Sequence, residues 1–147
     1  MSQVFLAFHI CDEIFGINVM NVLEVLDKQA ITEIPNAPEY IKGIINFRGE
    51  VVPVMDTRKR LNLDERDENE PFVIAVLDLV QNNEPFRMGI MVDKLNDVIT
   101  IQDKDILPVP AMGSKFRPET LTGIVQYDNR FILLLDLQKI FMEEVVV

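Results

Sequence analysis

Short apolar stretches alternate with turn residues along most of the chain. The stretches are rich in Val, Ile and Phe and are separated by Gly, Pro, Asn and Asp, which is the pattern of a β protein. Many of them are apolar on both faces, and this favours burial between packed sheets or barrels. The predicted strands are Val4–Ile10, Ile14–Val19, Ile41–Phe47, Val51–Met55, Phe72–Val80, Phe86–Val92, Val98–Ile101, Leu121–Tyr127 and Phe131–Leu135.

Two short segments, Thr57–Leu61 and Leu137–Met142, are predicted as helices. Each follows an aspartate, Asp56 or Asp136, whose carboxylate is expected to accept hydrogen bonds from the free N–H groups of the first helical turn. Neither helix is long enough to define the fold. The pattern therefore predicts an all-β protein with short connecting helices and a short C-terminal helix.

The chain contains an internal repeat. Residues 43–56, GIINFRGEVVPVMD, match residues 123–136, GIVQYDNRFILLLD, at an offset of 80 positions. A second pair of blocks, FGINVMNVLEV at 15–25 and MGIMVDKLNDV at 88–98, matches at an offset of 73. Because both pairs occur in the same order, duplication is favoured over chance similarity. The seven additional residues of the second half are predicted to form a longer loop near 111–119.

The duplication predicts two small sub-barrels within a single domain of residues 1–147. The first is expected to span roughly 14–70 and the second roughly 71–147, while the strand near 3–10 is open to either. Because each half has too little core to be stable alone, the interface between them should be apolar. Such a seam is a natural binding cleft. The polar, acidic segment 62–71 is predicted to be an exposed connection, with an acidic docking patch as the less favoured alternative.

Charge and composition exclude several classes of function. Fourteen basic and 24 acidic residues give a net charge of −10, which repels nucleic-acid phosphates and anionic lipid headgroups. No apolar run approaches the roughly 20 residues of a membrane span, and the N-terminus lacks signal-peptide features. One cysteine, Cys11, and one histidine, His9, preclude an internal disulfide and argue against a zinc site. We therefore expect a cytoplasmic protein without metal, cofactor, nucleic-acid partner or membrane insertion.

Few residues point to catalysis. The sequence has no glycine-rich phosphate cradle and no nucleophile elbow. Asp56 and Asp136 end matching strands, as the two aspartates of an aspartic protease would. Neither is followed by the Thr/Ser-Gly pair of that class, so the helix-cap interpretation is favoured. An aspartic-type hydrolase stays a remote alternative, and the chain is predicted not to be an enzyme.

The turn at Arg48-Gly49 contains a residue that local structure does not explain. Gly49 is expected to supply the positive φ of a tight hairpin, and the matching turn of the second half is Asp128-Asn129, a conventional turn pair. A turn does not require arginine. Arg48 is therefore a candidate for recognising a carboxylate or a backbone edge, with an ordinary solvated arginine as the alternative.

The segment from Tyr40 to Asp56, YIKGIINFRGEVVPVMD, resembles the signature of CheW-like chemotaxis coupling domains. The resemblance extends from about Phe5 to Phe141 and implies two five-stranded, SH3-like barrels packed around a shared apolar seam. It also implies a non-enzymatic adaptor that joins transmembrane chemoreceptors to a CheA-type histidine kinase at membrane receptor arrays. The other matching segments are Val22-Leu-Glu-Val25, Ile34-Pro35 with Pro38, Gly89-Ile-Met-Val-Asp93, Asp97-Val98, Leu107-Pro-Val-Pro110, and Gly123 with Leu135-Asp136.

The resemblance also implies which surfaces bind which partner. The cytoplasmic tip helix of the receptor is expected in the groove between the barrels, and the regulatory domain of the kinase is expected to make barrel-to-barrel contact. Kinase contacts are assigned only to the first barrel. A CheW-like scaffold of another receptor–kinase pathway, for surface motility or gene regulation, is the alternative. The receptor-side candidates are Val22, Glu24, Gly43, Arg48 and Val98, and the turn or cap candidates are Gly49, Asp56, Gly123 and Asp136.

Overall fold

The computed structural model describes residues 1–27, 29–67, 69–110 and 120–142. Strands dominate this part of the chain, with two short α-helices, α1 (Thr57–Arg60) and α2 (Leu137–Met142). The loop predicted near 111–119 lies outside the described residues. The strands are β1 (Ser2–Ile10), β2 (Glu13–Asn18), β3 (Val22–Leu26), β4 (Ile41–Phe47), β5 (Glu50–Met55), β6 (Val73–Gln81), β7 (Glu84–Val92), β8 (Lys94–Gln102), β9 (Leu121–Tyr127) and β10 (Arg130–Leu135).

The strands form two five-stranded sheets. One has the order β3-β6-β7-β5-β4 and is called the first barrel; the other has the order β8-β1-β2-β10-β9 and is called the second barrel. This confirms the predicted all-β fold with two five-stranded halves. Strand β3 had not been predicted, because its sequence, VLEVL, is nearly all apolar and too short to show a period of two.

The strands divide between the barrels differently from the prediction. The expected boundary near residue 71 is wrong, because β6 and β7 complete the first barrel. The second barrel is built from both ends of the chain: β8, β9 and β10 are joined by the N-terminal hairpin β1–β2. The repeat aligned the blocks correctly but carried no information on which sheet each strand would join.

The two barrels nevertheless pair their strands in the same way. In the first barrel β5 lies parallel to β7, with Val54 opposite Gly89. In the second barrel β10 lies parallel to β2, with Leu134 opposite Gly16. Both pairs are related by the offsets of 80 and 73 found in the sequence. The two halves of the duplication therefore share the register of this parallel strand pair as well as the sequence pattern.

The core lies largely between the barrels. Smaller clusters fill the interior of each barrel, and a larger one joins the two. The predicted apolar contact between the halves is therefore present. The fully buried side chains of this shared core include Phe8, Ile10, Phe15 and Ile17 from the second barrel and Met55, Leu77, Ile90 and Val92 from the first.

Each helix begins directly after a hairpin and is capped by an aspartate. Asp56 Oδ1 accepts a hydrogen bond from the Lys59 N–H at 3.3 Å, and Asp136 Oδ1 accepts one from the Lys139 N–H at 3.1 Å. Both carboxylates therefore serve the helix N-termini, as the repeat predicts. Among the described residues, no helix has the length and apolar character needed to cross a membrane.

Two equivalent glycines allow a loop to approach the outer strand of each barrel. A Cβ on Gly43 would lie 2.2 Å from the backbone oxygen of Thr32, whereas one on Gly123 would lie 2.5 Å from a side-chain methyl of Ile106 and 3.0 Å from the backbone oxygen of Leu107. Since a backbone oxygen gives way less easily than a methyl group, Gly43→Ala should lose about 2–3 kcal/mol of unfolding free energy and Gly123→Ala less. Urea denaturation of both variants measures this. Equal losses of unfolding free energy in the two variants would contradict the conclusion that the loop lies closer to Gly43 than to Gly123.

Candidate partner-binding site

The receptor-side candidates on β3 and β8 lie on the edge strands of their sheets. Val22 is partly buried against the shared core, whereas Val98 is 54% exposed. Their cross-strand neighbours, Leu77 and Leu6, both belong to the shared core. Because directly opposite residues share a face of the sheet, both valines lie on the side of their barrel that faces the seam.

Sequence reasoning missed a second apolar side chain on β8. Leu95 is 43% exposed and lies opposite the fully buried Phe8 of the shared core. The offset of 73 pairs Val22 with Leu95 and Val25 with Val98, so the repeat already contained the signal. The exposed apolar edge of β8 therefore consists of Leu95 and Val98.

The hairpin turn between β4 and β5 holds Arg48 in an unusual backbone conformation. Both central residues have positive φ, 53° at Arg48 and 83° at Gly49, whereas only the glycine had been expected to. The Gly49 N–H donates to Asn46 Oδ1 at 3.1 Å, which ties the turn to its strand. The matching turn has φ of 54° and 65° at Asp128 and Asn129, residue types that tolerate this region. Arginine is thus present despite a local conformational cost.

Arg48 and Glu24 are brought into direct contact. Arg48 Nη2 lies 2.5 Å from Glu24 Oε1, and the guanidinium lies 4.7 Å from the centroid of the Phe47 ring. The side chains are 62% and 39% exposed, so the ion pair contributes only about 0–1 kcal/mol to stability. Two predicted site residues, Glu24 on β3 and Arg48 in the β4–β5 turn, therefore form one exposed ion pair.

The two glycines assigned from the sequence have interior positions. Gly43 is buried within β4, so it offers a partner no exposed surface to contact. Gly123 lies within β9 and not in a turn, which corrects its assignment as a turn or cap residue. The structure therefore leaves Val22, Glu24, Arg48 and Val98 as the surface members of the predicted set.

A cluster of charged residues at the β7–β8 connection had no predicted role. Asp93 Oδ2 accepts hydrogen bonds from Arg58 Nη2 at 2.7 Å and from the Cys11 N–H at 2.8 Å, and Asp93 Oδ1 accepts one from Arg66 Nη2 at 3.2 Å. Burial acts to lower the pKa of Arg58, but the hydrogen bond and charge of Asp93 outweigh it and the pKa is raised. Arg58 therefore stays charged although only 7% of its surface is exposed.

The single histidine and cysteine have ordinary structural surroundings. His9 Nε2 lies 3.2 Å from Asn96 Oδ1 on the neighbouring strand β8. Burial raises the pKa of the Cys11 thiol, which disfavours the nucleophilic thiolate. Within the described residues these contacts do not form a nucleophile–base arrangement.

Comparison with known proteins places the chain in a family. The family model of the CheW-like domain matches residues 4–145. Chemotaxis protein CheW of Rhizobium meliloti (strain 1021) is 34% identical over 139 residues, covering 95% of this chain and 87% of the relative. Chemotaxis protein CheW of Bacillus subtilis (strain 168) is 33% identical over 146 residues, covering 97% and 89%.

A solved structure supports the same assignment. The crystal structure of the scaffolding protein TtCheW from Thermoanaerobacter tengcongensis superimposes with a TM-score of 0.82 at 30% identity, covering 96% of this chain and 88% of that one. Two five-stranded sheets joined by an apolar core thus define a double-barrel protein. The chain belongs to the CheW-like domain family.

Proposed function

We propose that this protein is a non-enzymatic adaptor that couples chemoreceptors to a CheA-type histidine kinase in the cytoplasm, at membrane receptor arrays. Family membership over residues 4–145 and the likeness to a scaffolding protein support this function. The observation that carries it is the exposed apolar edge of β8 on the seam side of the second barrel. An adaptor acts by binding its partners, so it needs an exposed apolar surface of this kind and no catalytic centre.

The receptor side is proposed to bind an amphipathic helix. Val22 and Val98, on the seam side of their barrels, would contact its apolar face, since helix-in-groove recognition depends on apolar anchors at helical spacing. Glu24 and Arg48 would contact its polar face. Complementary charges fix the orientation of a partner, and a well-packed interface arginine also contributes affinity, so this pair would set the register of the helix and Arg48 would strengthen its binding.

The kinase side is proposed to lie on the first barrel, through contact with the kinase regulatory domain. An adaptor that couples two proteins must bind both at once, so the two surfaces should not overlap. Titration of the labelled protein with a receptor cytoplasmic fragment, in the presence and absence of saturating kinase regulatory domain, tests this. Equal receptor affinity in both conditions is expected. Competition between the partners, or no binding of either, would refute the proposal.

Truncation of Val98 should affect binding rather than stability. Because its side chain is 54% exposed, Val98→Ala should change the unfolding free energy by no more than about 0.5 kcal/mol while weakening receptor-fragment binding. Val22→Ala should cost about 1 kcal/mol of stability as well, since Val22 packs on the shared core. Val80, 55% exposed at the end of β6, is the matched control. If Val80→Ala weakens receptor binding as much as Val98→Ala, the site is misplaced.

A further inference from the structure

One carboxylate joins the two barrels where the chain passes between them. Asp93 is the single residue between β7 of the first barrel and β8 of the second. Its N–H donates to the His9 carbonyl at 2.8 Å, and Oδ2 accepts from the Cys11 N–H, both in the second barrel. The same Oδ2 accepts from Arg58 of α1, which follows β5 of the first barrel. Asp93 therefore ties the start of β8 to both halves of the protein.

The segment after α1 completes a partly buried ionic cluster, the Asp93 cluster, made of Arg58, Arg66, Glu70 and Asp93. Arg66 Nη1 donates to the Glu70 carbonyl at 2.8 Å, and Arg58 Nη2 lies 3.2 Å from Glu70 Oε2. The two arginine side chains are 8% and 11% exposed and the Asp93 side chain 20%. The Coulomb attraction between charges shielded from water is stronger than that between surface charges, and removing one partner leaves a partly buried charge uncompensated.

The equivalent connection in the other half of the duplication forms without such a cluster. At the equivalent β2–β3 connection Met20 takes the place of Asp93 and Gln138 that of Arg58. Met20 is 85% exposed, and Gln138 Nε2 donates to the Val80 carbonyl at 3.0 Å. The described residues Met20 and Gln138 are both uncharged, so they form no ion pair. The cluster is thus specific to the connection that begins β8.

We propose that the Asp93 cluster positions β8 against the first barrel and so sets the geometry of the receptor-binding groove. Asp93 precedes Leu95 by two residues and Val98 by five, and β8, which carries both, pairs among the described strands with β1 alone. The position of such an edge strand relative to the other barrel depends on how its start is fixed. This inference rests on the proposed receptor binding, with Asp93, Arg58 and Arg66 as positioning residues.

Asp93→Asn in the full chain tests the proposal, because it keeps the shape of the side chain and removes its charge. The expected result is a loss of at least roughly fivefold in affinity for a receptor cytoplasmic fragment. Affinity for the kinase regulatory domain should change by less than about twofold. Amide hydrogen exchange should accelerate in β8 more than in β9. Asp93→Glu should recover part of the receptor affinity, and Glu50→Gln, which breaks the exposed Arg87–Glu50 pair of the first barrel, should leave hydrogen exchange in β8 unchanged.

The outcomes separate the positioning role from the proposed function. Equal receptor affinity of Asp93→Asn and the parent, or exchange that accelerates equally in β8 and β9, would overturn the positioning role. If the parent itself fails to bind the receptor fragment, the proposed function fails, and the exchange comparison alone decides whether the cluster positions β8. If Asp93→Asn does not fold, Arg66→Gln takes its place with the same expected results, since Arg66 contacts the other carboxylate oxygen.

Discussion

Replacing Arg60 by alanine is expected to lower the free energy of unfolding by about 3 kcal/mol. Arg60 is 5% exposed, and it extends from α1 to two backbone carbonyls of α2. Its Nε donates to the Ile140 carbonyl at 2.7 Å and its Nη2 to the Lys139 carbonyl at 3.1 Å. Truncation would leave a cavity and remove the donors to these carbonyls. The loss should therefore exceed that of an ordinary surface substitution several-fold.

The adjacent residue of the same helix provides the control. Lys59 has an exposed side chain, so Lys59→Ala should stay within about 0.5 kcal/mol of the parent. Urea denaturation monitored by circular dichroism gives both values. If the two variants unfold at the same urea concentration, the arginine does not hold the C-terminal helix against the first barrel.

Arg48→Glu is expected to have the largest effect on receptor binding. Loss of a central interface arginine can cost about 2 kcal/mol or more, roughly a 30-fold increase in Kd. Reversal of the charge would also make this residue repel Glu24, whose Oε1 lies 2.5 Å from Arg48 Nη2, and so would displace both charged side chains of the proposed site. Stability should change little, because the ion pair is exposed. Receptor-fragment titration and thermal melts measure the two effects separately.

The backbone at this turn offers a sharper variant. Since Arg48 has φ of 53°, Arg48→Asn should keep or slightly raise the melting temperature while still losing receptor affinity. Asp128→Ala alters the matching turn of the second barrel and should leave receptor binding unchanged. Unchanged affinity in both Arg48 variants would make this residue an ordinary solvated arginine. A large fall in melting temperature would make it structural.

Most strand positions followed from the sequence because their cause is local, although β3 was missed and β8 (Lys94–Gln102) is longer than the predicted strand Val98–Ile101. Runs of Val, Ile and Phe between turn residues predict strands, and the observed bounds of β4 and β9 match the prediction residue for residue. The order of strands within each sheet, by contrast, is not determined by local sequence. The joining of β1 and β2 to the C-terminal strands depends on which sheet edges meet after folding, and nothing in the repeat specifies that.

For the candidate site too, individual residues could be identified from the sequence but their contacts could not. Arg48 was singled out because a turn needs glycine but not arginine, and Glu24 because it matched the family pattern. Their mutual contact depends on β3 lying beside the β4–β5 turn, which sequence spacing does not show. The ion pairs of Asp93 with Arg58 and Arg66 join residues 35 and 27 positions apart, so no local pattern could identify them.

Reconstitution of kinase activity tests the adaptor function most directly. A CheA-type kinase, a receptor cytoplasmic assembly and this protein are combined, and kinase phosphorylation is measured with each component omitted in turn. The account predicts receptor-dependent control of the kinase only when this protein is present, its loss with Arg48→Glu, and no turnover by the protein alone. Receptor control of the kinase that is the same with and without this protein would contradict the account.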